Sequence, residues 1–324
     1  MKYPHVRLRR LRENPKLREI LSEHRLSKKD LVQPLFVKEG LTQRLEIATM
    51  PGQFQHSLTS LVAEAQKIES LGIPAVILFG IPEKKNPAAT QSFAKRGVIQ
   101  KAVGIIKKRC RDLLVITDVC LCEYTNHGHC GHVIKGRIEN DLSVKTLARV
   151  ALSHAEAGAD VVAPSDMMDG RVAAIRSILD QKGFKNLPVI SYAAKYASSL
   201  YAPFRTAAES APSFGDRASY QMSPANAKEA LREAETDLTE GADILLVKPA
   251  LGFGDIIFQI KQKFSCPVGA FCVSGEYAMI KAAAERGFLD EKKTVLETHL
   301  AIKRSGANLL FTYWAKQLAG WIKG

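Results

Sequence analysis

Short apolar runs alternate with amphipathic segments along the chain from about residue 30 onwards. The runs lack strict polar alternation, which is typical of parallel strands that are buried on both faces. Eight of them predict strands: residues 34–37, 75–79, 113–118, 161–165, 187–192, 244–249, 266–271 and 309–313. The amphipathic segments between them predict helices, for example residues 58–71, 144–157, 172–179, 225–238 and 294–303.

A glycine stands between the end of a predicted helix and the next apolar run at four places. Glycine is favoured there because it adopts the left-handed conformation that ends many helices. The four residues are Gly72, Gly158, Gly241 and Gly306. Eight such units predict an α/β fold, a (β/α)8 TIM barrel spanning residues 30–324 as a single domain. An open doubly wound sheet is the competing fold, although no G-x-G-x-x-G motif or P-loop is present.

The first 29 residues differ from the rest of the chain in charge. They contain ten lysines or arginines and three glutamates, so they supply +7 of the net charge of +13. Residues 1–29 therefore predict an extended basic N-terminal arm. Such an arm can bind nucleic acid, or it can lie on a partner subunit or another acidic surface.

Composition excludes several classes of protein. Apolar residues make up 46% of the chain and charged residues 24%, as in ordinary globular proteins. No apolar run is long enough to span a membrane, and the N-terminus lacks the apolar core of a secretory signal. We therefore expect a cytoplasmic protein whose six cysteines are reduced.

Ionisable and polar residues follow the predicted strands at their carboxyl ends, where barrel enzymes carry their active sites. Lys195 and Lys248 each end an apolar run. Burial and a neighbouring positive charge both lower the pKa of a lysine, and a neutral lysine can attack a carbonyl to form a Schiff base. The alternative is that each lysine reaches water at the rim of the barrel. Two such lysines on adjacent strands favour chemistry.

Three cysteines form a cluster directly after the third predicted strand. Cys120, Cys122 and Cys130 have the spacing C-x-C-x7-C, which indicates a metal site and favours zinc. Three protein ligands with an open fourth position are typical of catalytic zinc. The alternative is a closed site, in which one of the nearby histidines is the fourth ligand; these are His127, His129 and His132.

A long segment, residues 198–222, links the fifth predicted strand to the next helix. Long loops at this end of a barrel often act as active-site lids. Arg205 and Arg217 lie in this segment and could bind a carboxylate in a bidentate manner. The alternative is a surface loop with solvated arginines.

These residues together resemble one family, porphobilinogen synthase, also called 5-aminolaevulinate dehydratase. The resemblance covers nearly the whole chain and includes the cysteine loop and both lysine motifs. The matching phrases are PLFVKEG, LFGIP, DVCLCEYTNHGHCG, VAPSDMMDGRV, SYAAKYASSLYAPFR, SFGDRASYQM, GADILLVKPAL, VSGEYAM and TYWA. Members of this family condense two molecules of 5-aminolaevulinate into porphobilinogen, with loss of two waters, early in tetrapyrrole and haem biosynthesis.

The resemblance implies a role for each candidate residue. Lys248 would form a Schiff base with the substrate that becomes the propionate side, and Lys195 with the one that becomes the acetate side. Zinc on the three cysteines would help to bind the second substrate, and Asp118 would transfer or orient protons. The remaining residues would hold substrate carboxylates: Ser274 and Tyr313 that of the first substrate, Arg205, Arg217 and Gln221 that of the second.

The resemblance also implies partners. The family usually forms a homo-octamer whose N-terminal arms wrap neighbouring barrels, so we expect neither nucleic acid nor a membrane as a partner. Some members bind an allosteric Mg2+ at a subunit interface, and Glu233 is at the corresponding place. This chain departs from the family pattern at Phe271 and Cys272, where a tyrosine and a polar residue are usual. Phe271 would lose a hydroxyl near the first substrate.

Three other functions remain as alternatives. A Schiff-base aldolase on a similar barrel would need one reactive lysine and no zinc. A zinc-containing nucleic-acid-binding protein would use the basic arm. A zinc-storage or structural protein would have a closed four-ligand site and no catalytic activity.

Overall fold

The computed structural model of the chain describes residues 2–322, and all eight predicted strands are present in it. Each strand lies within two or three residues of its predicted position at either end. The strands are β1 (Leu31–Lys38), β2 (Ala75–Ile81), β3 (Leu114–Val119), β4 (Val161–Pro164), β5 (Ile190–Lys195), β6 (Ile244–Lys248), β7 (Val268–Cys272) and β8 (Leu309–Thr312).

These strands form one parallel sheet that curves into a barrel. Its order is β4-β3-β2-β1-β8-β7-β6-β5, and the edge strands β4 and β5 meet through one parallel bridge between Val162 and Val189. The predicted TIM barrel is therefore confirmed, and the open doubly wound sheet is excluded. Because every neighbouring pair is parallel, all strand carboxyl ends lie at the same mouth of the barrel.

Within residues 2–322, nine main helices surround the sheet. They are α1 (Leu58–Ser70), α2 (Val98–Arg109), α3 (Asn140–Glu156), α4 (Arg171–Gln181), α5 (Lys228–Thr239), α6 (Gly254–Lys263), α7 (Ser274–Glu285), α8 (Glu291–Arg304) and α9 (Ala315–Trp321). Capping explains where several begin. Helix α3 starts four residues before its predicted start because the Glu139 carboxylate accepts a 2.6 Å bond from the Leu142 amide.

The four predicted helix-ending glycines have positive φ. Gly72, Gly158, Gly241 and Gly306 have φ values of 78°, 96°, 103° and 117°. These are left-handed conformations that side chains other than glycine rarely adopt. Glycine therefore allows the chain to turn directly from the outer helix into the next strand.

Shorter elements complete the fold. An antiparallel hairpin pairs His132–Ile134 with Arg137–Glu139 between the cysteine loop and α3. Strands Leu45–Glu46 and Phe54–His56 pair beside β1. Residues 198–222, predicted as one long loop, instead contain a 3-10 turn and the short helix Ala202–Ala207. Among residues 2–322, no helix has both the length and the apolar character needed to cross a membrane.

The N-terminal segment packs differently from the barrel. Its helices Arg10–Glu13 and Pro15–Ile20 contain no buried residue. Several of its apolar side chains are exposed: Tyr3, Val6, Leu8, Leu11, Ile20 and Leu21. The boundary at residue 29 between arm and barrel stays a prediction, although the first barrel strand begins two residues later.

Candidate active site

The two lysines are direct neighbours in the sheet. Lys195 is the last residue of β5, Lys248 is the last residue of β6, and the two are register partners. Each is only 5% exposed. Burial excludes the alternative in which the lysines reach water at the rim. The site therefore contains two amines at the bottom of the same mouth.

Aromatic rings surround the Lys248 amine. Its Nζ lies 4.2 Å from the centroid of the Phe271 ring, and four more rings follow at 5.0–5.8 Å. These four belong to Phe79, Tyr192, Tyr201 and Phe204. Burial, together with the charge of Lys195, lowers the pKa of Lys248 to about 7. A large fraction of this amine is therefore neutral and nucleophilic near neutral pH.

Lys195 has a different environment. Its Nζ donates to the carbonyl oxygen of Ser165, and the cysteine cluster lies nearby. Burial by itself lowers the pKa of Lys195, but the nearby cysteine cluster, and the readily ionised Cys130 above all, outweighs burial and raises the pKa above its usual value. Burial and a like charge therefore lower the pKa of Lys248 but do not decide that of Lys195, because Lys195 also faces the negative charge of Cys130.

Asp118 faces both lysines from β3. It is 8% exposed, and its Oδ1 finds no hydrogen-bond partner in the described part of the chain. Burial, reinforced by the nearby Glu123 carboxylate, raises the pKa of Asp118 to about 8, despite the opposing effect of the two lysines. Near neutral pH this carboxyl group therefore carries a proton that it can donate.

The three predicted cysteines come together in space. All three are buried, and their Sγ atoms lie within 4.8 Å of one another; Cys120 and Cys122 are 3.4 Å apart. Hydrogen bonds from the Cys120 and Cys122 thiols lower the pKa of Cys130 well below its usual value. Three sulfur donors at this spacing, one of them readily ionised, fit a soft metal ion.

The nearby histidines do not join this group. Within residues 2–322, the three-cysteine cluster includes no histidine nitrogen. The ring of His129 instead contacts Tyr220 and Phe214, and that of His132 contacts Thr146. The geometry therefore favours three protein ligands over a closed site.

Sequence reasoning missed one carboxyl group in this region. Glu123 is 2% exposed, and its Oε2 lies 3.2 Å from the Cys122 Sγ. Burial raises its pKa. With Asp118 and Cys120 it forms a second group of three ligand atoms within 4.8 Å. The phrase CLCEY contains this residue, but nothing in its spacing distinguishes it from a surface glutamate.

The candidate carboxylate-binding residues lie around the same mouth. Arg217 is 4% exposed and donates to the carbonyl oxygens of Gly128 and Ser210, while its Nε has no partner among the residues described. Arg205 is half-buried, and burial and Arg217 together lower its pKa. Both amide atoms of the buried Gln221 side chain also lack partners within residues 2–322.

The other two candidate residues, Tyr313 and Ser274, differ in whether their hydroxyl groups have hydrogen-bond partners. The Tyr313 hydroxyl is buried without a partner in the described part of the chain. The Ser274 hydroxyl accepts from the Phe204 amide and donates to the Leu200 carbonyl oxygen. Ser274 is thus occupied by backbone groups of the segment 198–222 in this closed form.

A small enclosed cavity lies at the centre of these groups. Its volume is about 10 Å3, which is roughly the room one water molecule needs. Its lining includes both lysines, Cys122, Glu123, Phe204 and Arg217. The segment 198–222 therefore covers the mouth of the barrel, as the lid interpretation predicts.

Glu233 lies elsewhere, on the outer helix α5. It is half-buried beside Glu229, Asp237 and Asp169. Burial raises its pKa, and the neighbouring carboxylates add to that effect. Among residues 2–322, neither group of three closely spaced ligand atoms includes Glu233.

A barrel with two buried lysines, a proton-bearing aspartate and a three-thiol cluster at one mouth defines a class of enzyme that forms Schiff bases beside a metal site. Comparison with known proteins narrows this class. The delta-aminolevulinic acid dehydratase family matches residues 5–321. The chain belongs to this family.

Individual proteins of this family are similar to the chain over nearly its whole length. The protein named delta-aminolevulinic acid dehydratase from Methanothermus sociabilis is 53% identical, with 98% of this chain and 99% of that one covered. The one from Synechocystis is 52% identical, with 99% of both chains covered. The crystal structure of the Toxoplasma gondii enzyme with its product porphobilinogen has a TM-score of 0.96 at 44% identity, and covers 98% of this chain and 91% of that one.

Proposed function

We propose that this protein condenses two molecules of 5-aminolaevulinate into porphobilinogen and releases two waters. The observation that carries the proposal is the register pairing of Lys195 with Lys248 beside the buried thiol cluster. A Schiff-base aldolase uses one such lysine and leaves the second lysine and the thiols unexplained. Family membership gives the same function.

The first substrate binds at Lys248. Because much of this amine is neutral near pH 7, it attacks the keto carbon without a separate base, and water leaves as the Schiff base forms. Tyr313 and Ser274 hold the carboxylate of this substrate. Ser274 becomes available when the segment 198–222 opens, because that segment occupies its hydroxyl in the closed form.

The second substrate binds at Lys195, where arginines replace the aromatic rings. Arg205, Arg217 and Gln221 hold its carboxylate, and all three belong to the covering segment. Closing this segment therefore both binds the substrate and excludes water from it. Asp118 lies beside both lysines and, with its pKa of about 8, donates or accepts the protons that the condensation moves.

Zinc is the metal that the donor set favours. Cys120, Cys122 and Cys130 would hold it with a fourth position open. When bound, zinc supplies Lewis-acid polarisation of an oxygen on the second substrate. A dication there would also offset the thiolate charges that raise the pKa of Lys195.

A second metal would act at a distance. Glu233 is the proposed ligand of an allosteric Mg2+, supported by the carboxylates of Glu229, Asp169 and Asp237 around it. Activity and oligomer size that do not change when Mg2+ is added would remove this assignment.

The N-terminal arm would assemble subunits into a homo-octamer. Its exposed apolar side chains and positive charge suit a surface on a neighbouring copy. A cytoplasmic location fits a cluster of three free thiols, which a reducing compartment preserves.

The direct test is pyrrole formation from 5-aminolaevulinate with and without a zinc chelator. We expect product that disappears on chelation and returns when zinc is added back. Product that persists after chelation would keep the reaction and remove zinc from it. Absence of product from folded, reduced, zinc-loaded protein would reject the proposed reaction.

A further inference from the structure

The cysteine loop and the covering segment are in direct contact outside the cavity. We call residues 120–130 the metal loop and residues 198–222 the lid. The Ser213 amide donates to the His127 carbonyl oxygen at 3.0 Å, and Arg217 donates to the Gly128 carbonyl oxygen at 2.9 Å. The lid thus binds carbonyl groups that only a correctly folded metal loop presents.

A continuous chain of hydrogen bonds starts at a metal ligand and ends in the lid. The Cys130 amide donates to the Tyr220 hydroxyl at 3.4 Å, and this hydroxyl lies 3.1 Å from His129 Nδ1. His129 Nε2 lies 3.0 Å from the Phe214 carbonyl oxygen. A carbonyl oxygen can only accept, so Nε2 carries the ring proton and Nδ1 accepts from Tyr220. All the bonds in the chain therefore have compatible directions.

Packing reinforces this chain. The rings of His129 and Phe214 are 4.5 Å apart between centroids. Gly128 has a φ of +70°, and a Cβ added there would lie 2.2 Å from the Ala211 carbonyl oxygen. Only glycine allows the metal loop and the lid to approach this closely.

We propose that Tyr220 and His129 are positioning residues that couple closure of the lid to occupancy of the metal site. Without metal, Cys130 is not tied to Cys120 and Cys122 through a shared ion, and the His129 ring and the Tyr220 contact lose their fixed positions. With metal, the loop is ordered and the lid closes on it. By linkage, a closed lid raises metal affinity by the same factor by which metal favours closure. This inference rests on the metal site of the proposed function, but not on its reaction.

The test measures Zn2+ affinity and lid closure in the same protein. Zn2+ affinity is measured by competition with a chelator. Lid closure is measured by the rate at which trypsin cleaves the peptide bond after Arg217. Arg217 is 4% exposed, so the closed lid protects this bond. We expect Zn2+ to slow this cleavage in the unmodified protein. Neither readout requires turnover, so failure of the proposed reaction would be seen separately, in the pyrrole assay.

The central variant is Tyr220→Phe, which removes one hydroxyl and keeps the ring. We expect about a tenfold loss of Zn2+ affinity, the lower end of what outer-shell changes usually cost. We expect the slowing of trypsin cleavage after Arg217 by Zn2+ to fall by the same factor. Tyr277→Phe is the matched control, because it removes a buried hydroxyl bonded to the Pro51 carbonyl oxygen, outside the lid and the metal loop.

A second variant guards against a folding defect. His129→Gln keeps one donor and one acceptor, so we expect it to retain more of the coupling than His129→Ala. Unchanged Zn2+ affinity and protection in Tyr220→Phe would overturn the proposal. Faster cleavage by the same factor with and without Zn2+ would also overturn it, because Tyr220 would then hold the lid independently of metal.

Discussion

The two halves of the active site present the same functional group in opposite surroundings. On the β6 side, the Lys248 amine lies among five aromatic rings, and its pKa falls to about 7. On the β5 side, Lys195 lies beside thiols and a backbone carbonyl, and its pKa rises. The register places these residues side by side.

This difference shows how one pocket can treat two identical molecules differently. The neutral amine of Lys248, among apolar rings, can attack a carbonyl directly. The protonated amine of Lys195 must first lose its proton. Burial alone acts in the same direction on both lysines, so the contrast arises from their charged neighbours: the positive charge of Lys195 beside Lys248, and the negative charge of Cys130 beside Lys195.

The largest effect should come from removing the neutral amine. Lys248→Met should lower pyrrole formation by roughly 10^4-fold or more, because the nucleophile is lost. Borohydride reduction of the unmodified protein with 5-aminolaevulinate should trap an adduct that peptide mass spectrometry places on Lys248. Lys292→Met, at an exposed lysine, is the control. An adduct found on Lys195 alone would reverse the assignment of the two halves.

Metal removal should affect the Lys195 side of the active site and leave Schiff-base formation at Lys248 intact. Chelation, or Cys122→Ala, should lower pyrrole formation by about 10^3-fold, since a Lewis acid contributes several kcal/mol. The borohydride-trapped adduct on Lys248 should remain, because its aromatic surroundings do not involve the thiols. Cys266→Ala changes a half-buried cysteine outside the cluster and should leave both measurements intact. Loss of the Lys248 adduct on chelation would show that the Lys248 side of the site also depends on the metal.

The pH dependence should report the state of Lys248. A lysine with a pKa of about 7 is neutral above that pH, so adduct formation should rise about tenfold between pH 6 and pH 8 and then level off. In Lys195→Met the like charge is gone, so the pKa of Lys248 should rise and the midpoint should move upward. A midpoint that stays unchanged in this variant would show that the two amines do not interact.

The smallest effect should come from changing one of the five aromatic rings that surround the Lys248 amine. Phe271→Tyr places a hydroxyl near the Lys248 amine, where its oxygen can stabilise the ammonium form. We expect the midpoint to move upward by less than about one pH unit and the rate at pH 7 to fall only a few-fold. Phe258→Tyr, at an exposed ring on α6, controls for added polarity. A downward shift would be inconsistent with this effect of the hydroxyl.

The sequence predicted the parts of this molecule that depend on local pattern. Apolar runs ending in Lys195 and Lys248 predicted both strands and, with the parallel arrangement, the meeting of the two amines. The helix-ending glycines such as Gly72 predicted left-handed turns, and these are present. The spacing of Cys120, Cys122 and Cys130 predicted a cluster, because a short loop cannot separate them far.

What the sequence left open depends on contacts between distant segments. The rings around Lys248 come from three strands and from the lid, so no periodicity brings them together. The raised pKa of Lys195 follows mainly from the negative charge of Cys130, in the loop after β3. The His129–Tyr220 contact joins residues that are 91 positions apart, so it has no signature in the sequence. Glu123 lies next to Cys122, but its burial depends on how the barrel packs around it.

The cavity of about 10 Å3 has a consequence for the order of events in turnover. A space that holds a single water has room for neither a substrate nor the product. This closed arrangement is therefore that of the protein without substrate. Residues 198–222 must shift to admit substrate and shift again to let the product leave.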